Sequence, residues 1–259
     1  MNDDLEALRA LGPQGLQRFL SRPGALESPL LDRLCAQKDA RYSRVYWFTD
    51  LDAALAEARR SARPVLSLHL LGRLDEELSC ANSRFFRTTL YPRPAVQRRL
   101  RERFVLHWHT VRPAPVVNVD FGDGRRLTRT VTGNSAHLVL DVQGRVTDVL
   151  PGLYGAEAFC AGLDAAHALA SAIGLMSEAK RARSLAERHR AARERLLARW
   201  AAELGLPGER DPAALEAASE PWELLGGEPK LQPSPLLAKK HPTALEAGRL
   251  AATKLRVEL

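Results

Sequence analysis

Cysteine is scarce in this chain. Its 259 residues include three, Cys35, Cys80 and Cys160, and none lies near another. So few and so odd a number excludes a disulfide framework. The thiols are expected reduced, in a cytoplasmic setting. Long apolar runs are missing too. No stretch approaches the roughly 18 uninterrupted apolar residues of a membrane span, so no membrane partner is expected. The opening MNDDLEALRALGPQG is acidic and holds no apolar stretch, so no secretory signal is expected there. Aromatic residues make up 6%. That is little for stacking bases, which weighs against nucleic acid as a partner. A Gly-rich phosphate loop, a nucleophile elbow and zinc-finger spacing are all absent. Nucleotide-dependent and hydrolytic readings therefore have no motif, and no cofactor is expected.

What is present is ordinary globular material, with 45% hydrophobic and 27% charged residues. The net charge of +7 reads as arginine serving as the default surface residue in a chain rich in Ala, Leu and Arg. Three regions follow. Residues 1–41 form a helical N-terminal extension, with short helices over 3–10, 13–20 and 28–37. Residues 42–173 alternate strands and helices. Residues 174–259 form a helical C-terminal extension: one long Arg-rich helix over 176–204, then two helical patches separated by GGEPKLQPSP. The long helix interleaves Glu with Arg, which supports pairing along its own surface. The helix is expected to be solvated, with docking of Leu185, Leu196, Leu197 and Trp200 on a protein partner or on the domain as the alternative.

The middle region carries the argument. Val45-Tyr46-Trp47 reads as a short strand. Thr49 or Asp50 caps a helix over 51–61, whose Leu51, Ala54, Leu55 and Ala58 recur at helical spacing. VLSLHLL, residues 65–71, is a strand apolar enough for burial on both faces. A polar loop over 72–77 leads to a helix that starts at Ser79 or Cys80 and ends near Tyr91-Pro92. A short helix over 94–102 and the strand 104–111 come next. Residues 116–121 and 125–131 alternate around Gly122-Asp123-Gly124, the signature of a β-hairpin. A strand at 137–141, a turn at Gln143-Gly144, a returning strand at 145–150 and a helix over 156–173 complete the region.

DLDAALAEARRSARPVLSLHLL resembles the opening of thioredoxin-like domains, and HLVLDVQGRVTDVLPGLYGAEAFCAGL resembles their closing part. Between them, Cys80-Ala81-Asn82-Ser83 stands where that family places Cys-x-x-Cys. The resemblance covers about half of the chain. It implies an α/β, three-layer thioredoxin-like sandwich with a mixed central sheet, here with an inserted β-hairpin in place of a helix. It also implies a thiol-based oxidoreductase or thiol-redox sensor acting through Cys80, on a protein or small-molecule thiol or disulfide. The chemistry agrees: a cysteine at a helix N-terminus is favoured as thiolate, the nucleophilic form. Arg84 and Arg87 add positive potential, and Asp75, Glu76 and Glu77 oppose it. Ser83, in place of the second cysteine, precludes a local disulfide and is expected to hydrogen-bond the thiol. The family's cis-proline position aligns with Ser135, so Asn134 and Ser135 are the expected substrate-framing residues. The alternative is a redox-inactive thioredoxin-like interaction module, with Cys80 a plain helix-start residue.

The other candidates read structurally. Cys35 and Cys160 are expected to pack as small hydrophobes. His69, His107, His109 and His137 lie on adjacent strands. They are expected to fill or cap strand ends, with convergence on a metal as the alternative, and no metal site is assigned. Asp120 and Asp123 belong to turn chemistry.

Overall fold

A computed structural model of the chain describes residues 2–130, 133, 135–174 and 176–203. It divides into two compact units, Met1–Met176 and Ser177–Leu259. Short helices α1 (Asn2–Ala10), α2 (Pro13–Leu20), α3 (Leu30–Cys35) and α4 (Ala40–Ser43) open the first unit. They bury Leu5, Leu8, Leu16, Phe19, Leu31, Leu34 and Cys35 together with Tyr46, a small core of their own. Arg9 ties this core to the next segment. Its guanidinium donates to the carbonyls of Leu34 (2.8 Å) and Trp47 (3.3 Å) and stacks over the Tyr46 ring.

Helix α5 (Leu51–Ser61) begins where Asp50 Oδ1 accepts the Ala53 N–H at 2.7 Å, which satisfies one orphan donor of the first turn. It ends at Ala62, in the left-handed region just before Arg63-Pro64. Then come β1 (Val65–Leu71), α6 (Ala81–Phe85), a π-helical turn (Phe86–Leu90), α7 (Pro94–Arg103) and β2 (Val105–Arg112). The hairpin strands β3 (Val116–Asp120) and β4 (Arg126–Thr130) precede β5 (Ala136–Leu140), β6 (Val146–Pro151) and α8 (Ala156–Ile173).

The main sheet has the order β2-β1-β5-β6. β1 runs parallel to β2 and antiparallel to β5, and β5 runs antiparallel to β6. The sheet is therefore mixed, with helices on both sides. Because side chains alternate across a strand, Leu66, Leu68, Leu70, Leu106, Trp108 and Val139 face one layer. There they meet Phe86, Tyr91, Val96 and Leu100 together with Phe159 and Leu163 of α8. Each such buried leucine contributes about 1.5–3 kcal/mol. Val65, Val105 and Leu140 face the other way, onto Ala54 and Ala58 of α5. The α/β class and the inserted hairpin agree with the sequence reading. Asp164 on α8 receives Arg99 Nε and Nη2 at 2.7 and 2.8 Å, which clamps α7 to α8.

Two expectations change. The strand expected at 45–47 is not a strand; the segment joins the sheet through one bridge, Phe48 to His107. The reason is a competing partner. Trp47 N–H goes to the Cys35 carbonyl at the end of α3 (3.1 Å), and only Phe48 exchanges hydrogen bonds with β2. The helix expected from Ser79 or Cys80 to Tyr91 widens into its π turn at Phe86, where Tyr91 N–H reaches the Phe86 carbonyl at 2.8 Å.

The second unit shows α9 (Glu178–Glu203), which carries the expected pairing between neighbours: Arg181 meets Glu178 at 3.4 Å. The helical patches expected beyond it lie outside the described residues. No helix among the described residues is long and apolar enough to cross a membrane.

Candidate functional site

Cys80 follows β1 through the loop 72–79. Its N–H donates to the Leu71 carbonyl at 3.3 Å, which pins the residue to the end of the strand. It is the N-cap of α6, with extended backbone, and its side chain caps nothing. The expected helix-start position is therefore present. Its exposure is not: the Cys80 side chain is 0% accessible.

Gly133 packs against Cys80. A Cβ placed on Gly133 would lie 3.1 Å from Cys80 Cβ and 2.9 Å from Leu71 Cδ1, so only glycine lets this loop lie so close. Asn82 holds the loop down. It is buried, and its Nδ2 donates to the Gly133 carbonyl at 2.7 Å and to Ser135 Oγ at 3.0 Å. Sequence reasoning passed over Asn82, although a carboxamide two residues into a helix start, opposite a Gly-Asn-Ser loop, was the available signal.

The expected partners of the thiol are engaged elsewhere. Ser83 donates its hydroxyl to the Cys80 carbonyl at 2.9 Å and shares a hydrogen bond with the Ser79 hydroxyl. Ser135 is buried, takes the Asn82 amide, and accepts the Gly152 N–H at 2.8 Å on its carbonyl. Its side chain is turned inward, away from the surface. Asn134 lies outside the described residues. Arg84 donates to Thr130 Oγ1 at 2.8 Å, and Thr130 donates on to the Ser79 carbonyl at 2.6 Å. Arg87 is buried, reaches the Glu76 and Glu77 carbonyls, and pairs with Asp39 at 3.4 Å. Burial pushes its pKa down, and Asp39 pulls it back up. Asp75 and Glu76 pair with Arg73. The charges expected to tune the thiol thus serve the loop 72–79 and its neighbours.

The four strand histidines divide between the two faces of the sheet. His137 pairs with Leu68 in register and so shares its face. It is fully buried against Phe86 and Phe159, and its Nε2 shares a 2.7 Å hydrogen bond with the Tyr91 hydroxyl. Burial pushes the imidazole down to about 3, only partly opposed by the Leu150 backbone. Burial, and secondarily Cys80, push the Tyr91 hydroxyl well above its ordinary range. His69, His107 and His109 share the opposite face. The rings of His69 and His109 stand 5.3 Å apart, and His107 Nδ1 is bonded to the Ser67 hydroxyl at 2.8 Å. Burial first, then His69 and His109, push His107 down to about 4. Among the described residues, no three His, Cys, Asp or Glu side chains are grouped to hold a metal.

The other thiols are packed as expected. Cys35 is buried in the N-terminal core, where burial pushes it up to about 12. Cys160 is buried on α8, and all three cysteines are free. At the hairpin tip, Asp123 pairs with Arg125 and Asp120 with Arg126, in line with turn chemistry. A cleft of about 410 Å³ opens elsewhere, lined by Leu16, Arg44, Tyr46, Arg98, Arg101 and Leu106, and none of Cys80, Ser83 and Ser135 borders it. Compared with known proteins, the chain matches no family model and no curated protein sequence.

Proposed function

We propose that residues 42–173 are a thioredoxin-like domain serving as a protein-interaction module, with Cys80 a packing residue in place of a working thiol. The thioredoxin-like assignment draws support from the strand order β2-β1-β5-β6, from the helical crossover between parallel β1 and β2, and from the antiparallel pair β5-β6 leading into α8. The module reading rests on one observation. Cys80 is completely buried, Gly133 packs against it, and its helical neighbour Ser83 is bonded to backbone and to Ser79. A thiol acts as nucleophile only where an electrophile can reach it. Three free cysteines fit a reducing, cytoplasmic compartment.

A second reading, the thiol oxidoreductase or redox sensor, is favoured by one feature: Cys80 is the N-cap of α6, where a thiolate gains from unpaired N–H groups. In that reading Ser83 assists the thiol, and Asn134 and Ser135 frame a thiol or disulfide substrate. Alkylation of the native chain across a pH series, read by mass spectrometry, separates the two. Cys35 and Cys160 are internal controls. The module predicts that Cys80 labels no faster than these two. Rapid labelling at Cys80, with an apparent pKa below that of a free thiol, replaces the module with the redox reading.

A further inference from the structure

The β3–β4 hairpin has two unlike faces. In-register pairs put Val117 opposite Arg129 and Val119 opposite Leu127 on one face. Phe121 and Arg125 continue that face at the tip, where the Arg125 guanidinium lies 5.1 Å over the Phe121 ring. The other face pairs Val116 with Thr130, Asn118 with Thr128 and Asp120 with Arg126. Its side chains satisfy one another: Thr128 Oγ1 donates to Asn118 Oδ1 at 2.7 Å, and Arg126 meets Asp120 at 3.0 Å. The first face has no such closure. Val117, Val119 and Phe121 stay 43%, 40% and 52% exposed. Val117, Val119 and Phe121 follow one another along this face, and half-buried Leu127 stands opposite Val119; contiguous exposed apolar side chains of this kind mark an interaction site.

The charges on this face select the occupant. Arg125 is held by Asp123, but Arg129 has no carboxylate partner among the described residues and donates only to the Thr128 carbonyl. A second copy of the face would bring another arginine and no spare carboxylate. At the tip Asp120 and Asp123 are each paired with an arginine, so Arg129 is the charge this face presents to an occupant. We infer that this face docks an acidic polypeptide segment of another protein, which lays apolar side chains on Val117, Val119, Leu127 and Phe121 and sets a carboxylate against Arg129. The guanidinium suits that task because it binds a carboxylate through two parallel hydrogen bonds. The inference rests on the interaction-module reading and names its surface. The two fail separately, since a reactive Cys80 removes that reading and leaves peptide binding untouched.

The test uses the full chain and a fluorescently labelled peptide of alternating Val and Glu, with a Val and Lys peptide as its counterpart, followed by anisotropy. The Glu peptide is expected to bind and the Lys peptide is not. Val119→Ser and Arg129→Glu are each expected to weaken binding about tenfold, a loss of about 1.4 kcal/mol. Arg59→Glu, an equal charge change on an exposed position of α5, is expected to leave it unchanged. Circular dichroism and thermal melts confirm that all three variants fold. Four results overturn the inference: no binding of the Glu peptide; equal loss in Arg59→Glu, which marks net charge alone; binding to phosphatidylglycerol vesicles that Val119→Ser abolishes while the peptide does not bind; or a concentration-dependent dimer that Val119→Ser dissolves.

Discussion

The Cys80 corner and the β3–β4 hairpin meet at Thr130, and they treat polar and apolar groups in opposite ways. In the corner, Ser79, Asn82, Ser83, Thr130 and Ser135 are all buried, and each has a hydrogen-bond partner inside the protein. On the hairpin every residue of β3 is exposed, three of its five are valines, and Phe121 follows them. Buried polar groups need partners because leaving one unsatisfied costs the full desolvation penalty. Exposed apolar groups need none, and they persist where a partner will cover them. The position that looks reactive by sequence is thus closed, and the open surface is a segment with no reactive residue.

The largest effect is expected from the core beneath the corner. His137→Ala leaves a void among Phe86, Tyr91 and Phe159 and strips the Tyr91 hydroxyl of its partner. We expect a loss of about 4 kcal/mol in urea melts. The same residue sets a pH dependence. Its folded pKa is depressed to about 3, so the unfolded chain binds the proton first. Stability is full above the unfolded histidine value of about 6.5 and falls as pH drops from there toward 3. His107, depressed to about 4, adds to the fall over the upper part of this window. Urea melts at stepped pH are expected to show the decline, and His137→Phe to make it shallower. An unchanged slope in that variant would remove His137 from the account.

Asn82→Ala comes next. It frees the Gly133 carbonyl and Ser135 Oγ, and the expected loss is about 2 kcal/mol. It also loosens the loop over Cys80, so native alkylation of Cys80 is expected to accelerate while Cys35 does not change. Gly133→Ala forces a methyl to within 3.1 Å of Cys80 Cβ, and overpacking of that kind costs about 1–2 kcal/mol. At the small end, Val119→Ser on the hairpin is expected to shift stability by about 0.5 kcal/mol or less, since its side chain is exposed. A large loss there would show that the apolar face is already covered within the chain.

Much of this architecture was legible beforehand because it is local. Asp50 before an alanine-spaced helix, the apolar run 65–71 and Gly122-Asp123-Gly124 between alternating segments each carry their structure in a few adjacent residues. The two glycines of that turn take φ of 76° and 89°, which side-chain-bearing residues rarely adopt. The candidate site was legible only as a position. Cys80 stands at a helix start as expected, but the partners foreseen for it had other bonds available at similar cost. Ser83 sits one turn from the Cys80 carbonyl, and hydroxyls in helices commonly bond back to that atom. The segment 45–47 failed as a strand for a similar reason, because α3 ended close enough to take the Trp47 N–H.

Sequence alone was enough for the elements from α5 onward, the hairpin turn and the helix start at Cys80, since periodicity and glycine conformation act over a few residues. The packed sheet set His69 beside His107 and His109 on the face opposite His137, and packed Gly133 against Cys80. Those depend on strand register: one step of register moves a side chain to the opposite face. Contacts from Asn82 to Ser135 or from Leu68 to His137 span more than fifty residues of chain, and nothing in the intervening sequence encodes them until the sheet has formed.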